Sequence, residues 1–424
     1  MTPILRSVDL RTRARGAIDP VDHEAFWERD WAAAVHARGE RAAADAEHLG
    51  LQPLTIRVDG DARTLRVRAG RLEAATGAAA PLVVDLDGAA FSDLVRERKS
   101  GLGLAMGGRV DGDSASNQML CAWDAVLRSV LDGRAVYRAG DLTVRGRDGT
   151  TLDLTREFRP GEDRGEAAHF LTEAGFLLLK DVFTEAEMAA VDVDFARAVD
   201  AAHPDDGTSW WATTGTGARY ACRILDLGRQ SEYLRELFRD PRFLAIGEIL
   251  DDGHAPGDPF GEHFSEVTAE GLVKRVDSVE GLACLPWHKD CERGGHSMFC
   301  SGITIGICLT PVDEAHGGLD VIAGSHRANI ARSQWDAGLD LPTVKLRADR
   351  GDVTVHLSCT LHRSTHPRSA ERRVVYTGFA LPARPGDRED HVEQSVLARE
   401  RAELADGRAR AGFLAHAPNR GSSA

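Results

Sequence analysis

The sequence predicts an α+β protein whose main domain is a double-stranded β-helix (jelly roll) with flanking helices, preceded by a smaller α+β accessory domain. The chain has 424 residues, which is too long for one ordinary domain. Residues 54–86 contain short segments with alternating hydrophobicity, and helical patterns follow them. Residues 271–381 contain further strand patterns separated by Gly-containing turns and long connections, which is typical of a jelly roll.

Composition and net charge exclude some classes of binding partner. Hydrophobic residues make up 42% of the chain, and the formal net charge is −14. An acidic chain is a poor candidate for nucleic acid or an anionic membrane, because both require a basic surface. No segment approaches the roughly 18–20 apolar residues of a membrane span, and residues 1–19 lack the apolar core of a secretory signal. We therefore expect a cytoplasmic protein that acts on a small molecule, with no nucleic-acid partner and no integral membrane segment.

The seven cysteines are dispersed along the chain. No two of them have C-x-x-C spacing, which argues against a zinc knuckle or a dithiol redox motif. Cys284 and Cys291 flank the histidine motif described below. We expect most of the cysteines to be reduced thiols that act as small buried side chains.

Changes in composition divide the chain into five segments. The charged stretch 148–164 contains Pro160-Gly161, which indicates a linker. The predicted segments are a helical N-terminal segment (1–50), the accessory domain (51–147), the linker (148–164), the jelly-roll domain (165–385) and a helical or disordered C-terminal tail (386–424).

The hydrophobic patterns of the first two segments predict helices and strands. Residues 24–49 have helical spacing, although Gly39 weakens the middle, and Asp59-Gly60 indicates a hairpin turn. The Gly-rich stretch 101–108 does not match a phosphate-binding loop. The other predicted elements are strands at 54–58, 64–68 and 81–86, helices at 89–98 and 118–131, and a closing strand at 136–144.

Residues 52–145 resemble the sterol-carrier-type lipid-binding domain. The similar stretches are RVRAGRLEAATGAAAPLVVDLDGAAFSDLV and GRVDGDSASNQMLCAWDAVLRSVLDG. The resemblance implies helices packed on a small sheet around an apolar tunnel that holds hydrophobic ligands. An unrelated α+β accessory domain is the alternative.

The jelly-roll domain begins with a helix, a stop at Gly175 and a short apolar strand. Thr184-Glu-Ala-Glu187 fits a capping box and opens the next helix. One amphipathic helix is predicted over 231–250, followed by a loop at 253–261. The predicted strands are 271–276, 303–310, 318–323, 352–358 and 372–381.

The stretch Trp287-His-Lys-Asp290 is the first part of a candidate metal site. On a strand, residues i and i+2 face the same side, so His288 and Asp290 are expected to project together. The strand pattern that begins at Asp352 ends at His362, which can add a third ligand. Two histidines and one carboxylate on one face of a metal are the ligands of non-haem iron oxygenases. We predict that His288, Asp290 and His362 bind Fe(II) and form the catalytic centre.

Ser364 and Arg372-Arg373 follow the distal histidine. An arginine fork binds a carboxylate through two charge-assisted hydrogen bonds, and a serine hydroxyl adds a third. These residues can therefore hold a dicarboxylate co-substrate beside the metal.

Residues 165–382 resemble the phytanoyl-CoA dioxygenase family of Fe(II)/2-oxoglutarate-dependent oxygenases. The resemblance implies that His288, Asp290 and His362 bind the iron and that O2 is a further co-substrate. It also implies that Ser364 and an arginine bind the far carboxylate of 2-oxoglutarate. The motifs, in family order, are FLTEAGFLLLKDVFTEAEM, WHKD, GGLDVIAGSHR, GDVTVHLSCTLHRS and ERRVVYTGFA.

The arginine assignment has two solutions. Aligning the strand RRVVYTGF favours Arg372, whereas a spacing of eleven residues from His362 favours Arg373. Lys274 is a further candidate for a co-substrate contact. The family often has Asn where this chain has Gly317.

The implied reaction oxidises a C–H bond, most simply by hydroxylation, and releases succinate and CO2. Asp290 distinguishes the chain from related halogenases, which replace this ligand with a small residue. Three further histidines near the motifs, His326, His356 and His366, are expected to be structural.

Two other functions compete with the leading prediction of an oxygenase acting on an apolar or carrier-linked substrate. One is a lipid-binding or carrier protein with an inactive oxygenase-like domain. The other is a metal-dependent isomerase or hydrolase on a similar barrel, which would work without O2.

Overall fold

The computed structural model describes residues 21–97, 99–225, 227–256, 269–280, 285–291, 302–335 and 338–381. The predictions for the first 20 residues, for most of the 253–261 loop and for the C-terminal tail lie outside these ranges. Within them, no helix is both long and apolar enough to cross a membrane.

The accessory domain is a small sheet covered by helices. Its elements are α1 (His23–Ala25), a π-helical segment (Phe26–Trp31), α2 (Ala32–His48), β1 (Leu54–Val58), β2 (Asp61–Arg68), β3 (Arg71–Thr76), β4 (Leu82–Leu86), α3 (Gly88–Val95), α4 (Gly101–Met106) and α5 (Ser114–Asp132). The strand order is β3-β2-β1-β4, with β4 parallel to β1 and the other pairs antiparallel. Asp59 and Gly60 both have positive φ, which is the backbone of a type I′ hairpin turn.

Several predictions for this domain hold, and one does not. The helical segment passes through Gly39 without interruption, and α2 and α5 pack against the sheet. The Gly-rich stretch is partly helical, because Ser100 caps α4 by accepting a hydrogen bond from Gly103. The closing strand at 136–144 is wrong, since Val136 forms a single bridge with Asn329 of the other domain. Helices on a small sheet make this an α+β domain, and both the sterol-carrier resemblance and the lipid-binding role stay predictions.

The second domain contains the remaining helices and strands. They are α6 (Arg164–Ala174), β5 (Phe176–Leu179), α7 (Glu185–Ala201), β6 (Ser209–Thr214), β7 (Arg219–Ile224), α8 (Leu227–Gln230), α9 (Glu232–Leu237), α10 (Pro241–Gly247), β8 (Ala255–Pro256), β9 (Glu270–Lys274), β10 (Ser278–Glu280), β11 (Leu285–His288), β12 (Ile303–Cys308), β13 (Leu319–Ile322), β14 (Thr343–Leu346), β15 (Val353–Leu357), β16 (His362–Ser364) and β17 (Arg372–Ala380).

These strands form the two sheets of a jelly roll. In the described residues, the large sheet has the order β10-β6-β7-β9-β17-β12-β15-β5, with β8 paired to β17. The small sheet has the order β11-β16-β13-β14. All neighbouring strands in both sheets are antiparallel. The non-sequential order places strands far apart in the chain side by side, and this architecture agrees with the predicted fold class.

Helix boundaries follow local sequence signals. The capping box at the start of α7 is present, with Thr184 and Glu187 bonded reciprocally. The single helix predicted over 231–250 is wrong, because it breaks into α9 and α10 at Pro241. Proline lacks the N–H that an interior helical position needs, and here it occupies the first turn of α10 behind the N-cap Asp240.

The core of the second domain lies between the large sheet and the helices outside it. Ile303, Ile305 and Ile307 of β12 are buried there, together with Phe195 of α7. Gly271 lets this helix approach β9, because a Cβ at that position would lie 2.4 Å from the Phe195 ring. The predicted linker contributes to this core through Phe158, whose N–H donates to Leu178 at 3.0 Å.

Asn329 joins the two domains. Its buried side-chain amide donates to the carbonyl of Ala125 at 2.8 Å and to the carbonyl of Arg134 at 2.7 Å. Its own carbonyl accepts from the Tyr137 N–H at 2.9 Å. A buried side chain that satisfies two carbonyls of the other domain is expected to couple the unfolding of the domains.

Replacing this residue tests the coupling. Asn329→Ala leaves both carbonyls without their donor, and we expect the free energy of unfolding to fall by about 1–3 kcal/mol. Denaturant unfolding followed by fluorescence measures the change. Gln118→Ala, at an exposed position of α5, is the matched amide control and should change stability by less than about 0.5 kcal/mol. Equal stability of the two variants would contradict the role of Asn329.

Candidate metal and carboxylate site

Two neighbouring strands of the small sheet bring the histidines together. His288 ends β11, His362 begins β16, and the two residues are direct cross-strand partners. Their ring centroids lie 4.1 Å apart. The predicted strand leading from Asp352 to His362 is wrong as a single element, because β15 ends at Leu357 and His362 belongs to the other sheet. The tertiary pairing therefore places His362 opposite His288.

Asp290 completes the cluster from a position just beyond β11. Its Oδ1 atom lies 3.5 Å from His288 Nε2 and 3.7 Å from His362 Nε2. The three side chains offer ligand atoms within 4.8 Å of one another. The strand alternation used to pair His288 with Asp290 does not apply, since the strand ends at His288. The two residues nevertheless project to the same place.

Backbone carbonyls set the tautomer of both histidines. His288 Nδ1 lies 2.8 Å from the carbonyl oxygen of Pro286, and His362 Nδ1 lies 2.9 Å from that of Thr360. A carbonyl can only accept, so each Nδ1 carries the proton and each Nε2 has a lone pair for a metal. Burial lowers the pKa of His362 well below its ordinary value, and the neighbouring His288 and His356 lower it further.

The second carboxylate oxygen of Asp290 is held by the large sheet. Thr304 Oγ1 donates to Asp290 Oδ2 at 3.1 Å, and His356 Nε2 donates to the same atom at 3.3 Å. Thr304 and His356 are direct partners across β12 and β15. Oδ2 is thereby occupied, which leaves Oδ1 directed to the two imidazoles.

These two supporting residues were not identified from the sequence. His356 was expected to be structural, but it contacts the candidate ligand Asp290. Thr304 carries a detectable signal, since it is a polar residue within the buried apolar strand ITIGIC. Which residue it would face depends on the pairing of β12 with β15, and that pairing is not readable from the pattern alone.

A candidate carboxylate-binding cluster lies beside the histidines. Ser364 is two residues after His362 on β16, so both side chains face the same side of the strand. Arg372 Nη1 donates to Ser364 Oγ at 3.2 Å, and Lys274 Nζ donates to the same oxygen. Lys274 and Arg372 are cross-strand partners on β9 and β17, and both are fully buried.

The remaining contacts of Arg372 are with neutral atoms in the described residues. Nη1 donates to the Gly317 carbonyl at 3.1 Å and Nη2 to the Tyr376 hydroxyl at 3.4 Å. Its Nε is buried without an acceptor among these residues. Two buried cationic side chains, Arg372 and Lys274, thus donate to the same hydroxyl oxygen, and this concentration of positive charge favours the binding of an anion. A carboxylate fits the planar pair of N–H donors of an arginine.

Gly317 shapes the loop that orients the arginine. Its φ is +86°, and a Cβ there would lie 2.6 Å from the carbonyl oxygen of Thr365. Both observations require glycine at this position. Its carbonyl, in turn, holds the guanidinium of Arg372 toward Ser364.

Arg373 faces the opposite side of β17 from Arg372. Its Nε donates to Glu371 at 2.7 Å, and Nη1 lies 3.8 Å from Asp192 of α7. The structure therefore does not bring Arg373 to the Ser364 cluster. His326 and His366 are also absent from the histidine cluster, since their Nε2 atoms bond the carbonyls of Thr172 and Ser278.

The face of the large sheet that carries Lys274 also bears a buried ion pair. Leu272, two residues before Lys274, is the cross-strand partner of Arg223 on β7, so these side chains share a face. Arg223 is paired with Glu270, and its guanidinium lies 4.9 Å from the Trp210 ring centroid. This face consequently carries charged side chains on β7 and β9, with the apolar Leu272 beside them.

The residues next to both histidines pack toward the accessory domain. Trp287 and Leu361 each immediately precede a histidine, and both belong to an apolar cluster with Tyr137 and Trp335. Leu361 and Tyr137 are almost fully buried. The segment that follows α5 in the accessory domain thus supports the strands that carry the histidines.

Comparisons with known proteins cover this domain. Residues 171–375 match the sequence model of the family described as phytanoyl-CoA dioxygenase (PhyH). No curated protein matches this chain.

The solved structures similar to this chain have low sequence identity to it. AviO1 from Streptomyces viridochromogenes Tue57 is 20% identical, with a TM-score of 0.41, and the match covers 53% of this chain and 97% of AviO1. The non-heme alpha ketoglutarate dependent carbocyclase SnoK from nogalamycin biosynthesis is 17% identical, with a TM-score of 0.42 and coverage of 57% and 93%. EctD from S. alaskensis with 2-oxoglutarate and 5-hydroxyectoine is 17% identical, with a TM-score of 0.42 and coverage of 58% and 86%.

The family match spans β5, α7 and strands of both sheets, and it includes His288, Asp290 and His362 together with the candidate carboxylate-binding cluster. Residues 171–375 of this chain are therefore similar to the phytanoyl-CoA dioxygenase family.

Proposed function

We propose that this protein is an Fe(II)/2-oxoglutarate-dependent dioxygenase that oxidises, most simply by hydroxylation, an unactivated C–H bond of a small molecule. One observation carries the proposal. His362 and Ser364 lie on one face of β16, so the candidate metal cluster and the carboxylate-binding cluster are two residues apart. 2-Oxoglutarate needs both, a metal for its keto acid end and a cationic site for its far carboxylate. EctD, a structure with similarity to this chain, was crystallised with this compound.

The residues present fit the iron. Two neutral imidazoles and one carboxylate are the nitrogen and oxygen donors of non-haem Fe(II) sites. His288 and His362 present Nε2, while Thr304 and His356 hold Asp290 so that Oδ1 faces them. When bound, Fe(II) with 2-oxoglutarate supplies the O2 activation that oxidises the C–H bond, with succinate and CO2 as co-products.

The protein's contribution is to bind, orient and shield. Arg372, Lys274 and Ser364 would clamp the far carboxylate of 2-oxoglutarate, and the Gly317 carbonyl keeps the guanidinium in place. These side chains are buried, which strengthens the charge-assisted hydrogen bonds by excluding water. Arg372 is the better candidate of the two neighbouring arginines, since Arg373 pairs with Glu371 on the other face.

We further propose that the substrate is apolar or carrier-linked. The resemblance of residues 52–145 to a lipid-binding domain supports this class, and so does the packing of Tyr137 in the cluster behind the histidine strands. The Arg223–Glu270 pair on the sheet face of Lys274 would contact a polar group of such a substrate.

Removing a candidate metal ligand should abolish both binding and turnover. We expect His288→Ala and Asp290→Ala to lower Fe(II) affinity and succinate formation by at least about 100-fold, because each removes one of the three protein ligands proposed for the ion. Fe(II) titration of the anaerobic protein and succinate quantification measure the two effects. His203→Ala, at an exposed position, is the histidine control. Substantial turnover in Asp290→Ala would refute the ligand assignment.

The paired arginines provide a matched test of the carboxylate clamp. A lost charge-assisted hydrogen bond costs about 1.5–3 kcal/mol, so Arg372→Met should raise the KM for 2-oxoglutarate by roughly 10- to 100-fold. Lys274→Met should act in the same direction. Arg373→Met removes the same charge from the adjacent residue and should change KM by less than about threefold. Similar KM values for the Arg372 and Arg373 variants would contradict the clamp.

The requirement for O2 separates the competing functions. With Fe(II) and 2-oxoglutarate, the purified protein should form succinate in air and none under anaerobic conditions, even without its substrate, at a slow uncoupled rate. Absence of succinate in every condition would favour a carrier with an inactive domain. Substrate turnover without O2 would favour a metal-dependent isomerase or hydrolase.

A further inference from the structure

Two cysteines lie in contact between the segments that carry the candidate metal ligands. Cys291 directly follows Asp290, and Cys359 is three residues before His362. Their sulfur atoms are 3.0 Å apart, and both side chains are buried. The Cys291 N–H donates to the Ser358 carbonyl at 3.3 Å, so the two backbone segments are also adjacent. A disulfide bond of about 2.05 Å would require the sulfurs to move together by roughly 1 Å.

We propose that Cys291 and Cys359 form a reversible disulfide under peroxide and that this bond lowers the affinity of the neighbouring site for its metal. One thiolate attacks the peroxide, which gives a sulfenic acid and one water. The second thiol attacks that sulfur, which forms the S–S bond and releases the second water. Two thiols are thereby oxidised and one hydrogen peroxide is reduced. A thiol reductant reverses the step.

The bond would act on the metal site through Asp290. The second oxygen of this carboxylate is held by Thr304 and His356, and Thr304 Oγ1 also lies 3.1 Å from Ser358 Oγ. Drawing Cys291 toward Cys359 displaces the adjacent Asp290 within this network. Metal ligands must keep their distances within about 0.2 Å, so a shift of this size weakens binding. This consequence depends on the proposed function, whereas the formation of the disulfide does not.

The pairing depends on the tertiary structure. The two cysteines are 68 positions apart, so no short cysteine motif indicates them.

Peptide mapping tests the bond directly. The full-length protein is freed of metal with a chelator, treated with hydrogen peroxide, and digested with trypsin without reductant. Cleavage after Lys289 and Arg293 and after Arg350 and Arg363 leaves each cysteine alone on its peptide. We expect a linked pair, 290–293 with 351–363, that is two hydrogens lighter than the separate peptides and disappears with dithiothreitol. Absence of this linked pair would overturn the proposal.

Metal affinity is measured on the same samples with Mn(II), detected by electron paramagnetic resonance. Mn(II) prefers nitrogen and oxygen ligands, so thiols do not dominate its binding. We expect the oxidised protein to bind Mn(II) at least about tenfold more weakly and dithiothreitol to restore binding. Cross-linking without a change in affinity would overturn the switch. Failure of the reduced protein to bind Mn(II) would instead contradict the proposed metal site. The peptide map would still show independently whether the disulfide forms.

Variants separate the disulfide from other oxidative damage. Cys359→Ala should bind Mn(II) like the reduced wild type and lose its response to peroxide, and Cys291→Ala is the second variant if the first does not fold. Cys121→Ala, a buried cysteine of the accessory domain, is the control and should keep the full response. A peroxide response that persists in Cys359→Ala would overturn the assignment.

Discussion

The antiparallel pairing of β11 with β16 is the contact on which the site depends. It sets His288 opposite His362, and it fixes the face of β16 that Ser364 shares with His362. A slip of one residue in this register would turn His362 away and separate the two clusters. The pairing belongs to the small sheet, but both clusters are completed by residues of the large sheet. The site therefore exists only when the two sheets face each other.

The charges in the site divide into two zones with opposite signs. The metal zone contains one buried carboxylate beside the two imidazoles, and its Asp290 is already held by Thr304 and His356. The second zone contains the buried Arg372 and Lys274, which both donate hydrogen bonds to the hydroxyl of Ser364. A metal cation suits the first zone and a carboxylate anion the second. A ligand that chelates a metal at one end and bears a carboxylate at the other satisfies both.

The accessory domain supports the site from behind the small sheet. Trp287 and Leu361, which precede the two histidines, pack with Tyr137, which follows α5 of that domain. Asn329, on the loop after β13, bonds two carbonyls of the accessory domain. The packing on one side of the sheet is thus continuous with the strands that present ligands on the other. Changes in the accessory domain would reach the ligand strands through these contacts.

Sequence reasoning predicted a site from His288, Asp290, His362, Ser364 and the pair Arg372-Arg373, because ligand chemistry restricts these positions to few residue types and the family motifs occur in order. It also anticipated the capping box, the hairpin turn and most strands, since those depend on neighbours in the chain. Local pattern misjudged the helix that Pro241 divides and the strand after Val136, whose hydrogen bonds depend on distant partners.

What only the tertiary structure decided is which residues meet across strands. Arg372 faces Ser364 while Arg373 faces α7, because alternate residues of β17 lie on opposite faces of the sheet. The support of Asp290 by Thr304 and His356, and the contact of Cys291 with Cys359, both join segments more than ten residues apart. Such pairs depend on strand order and register. The sequence by itself determined the chemical groups of the site, and the packing of the two sheets decided their partners.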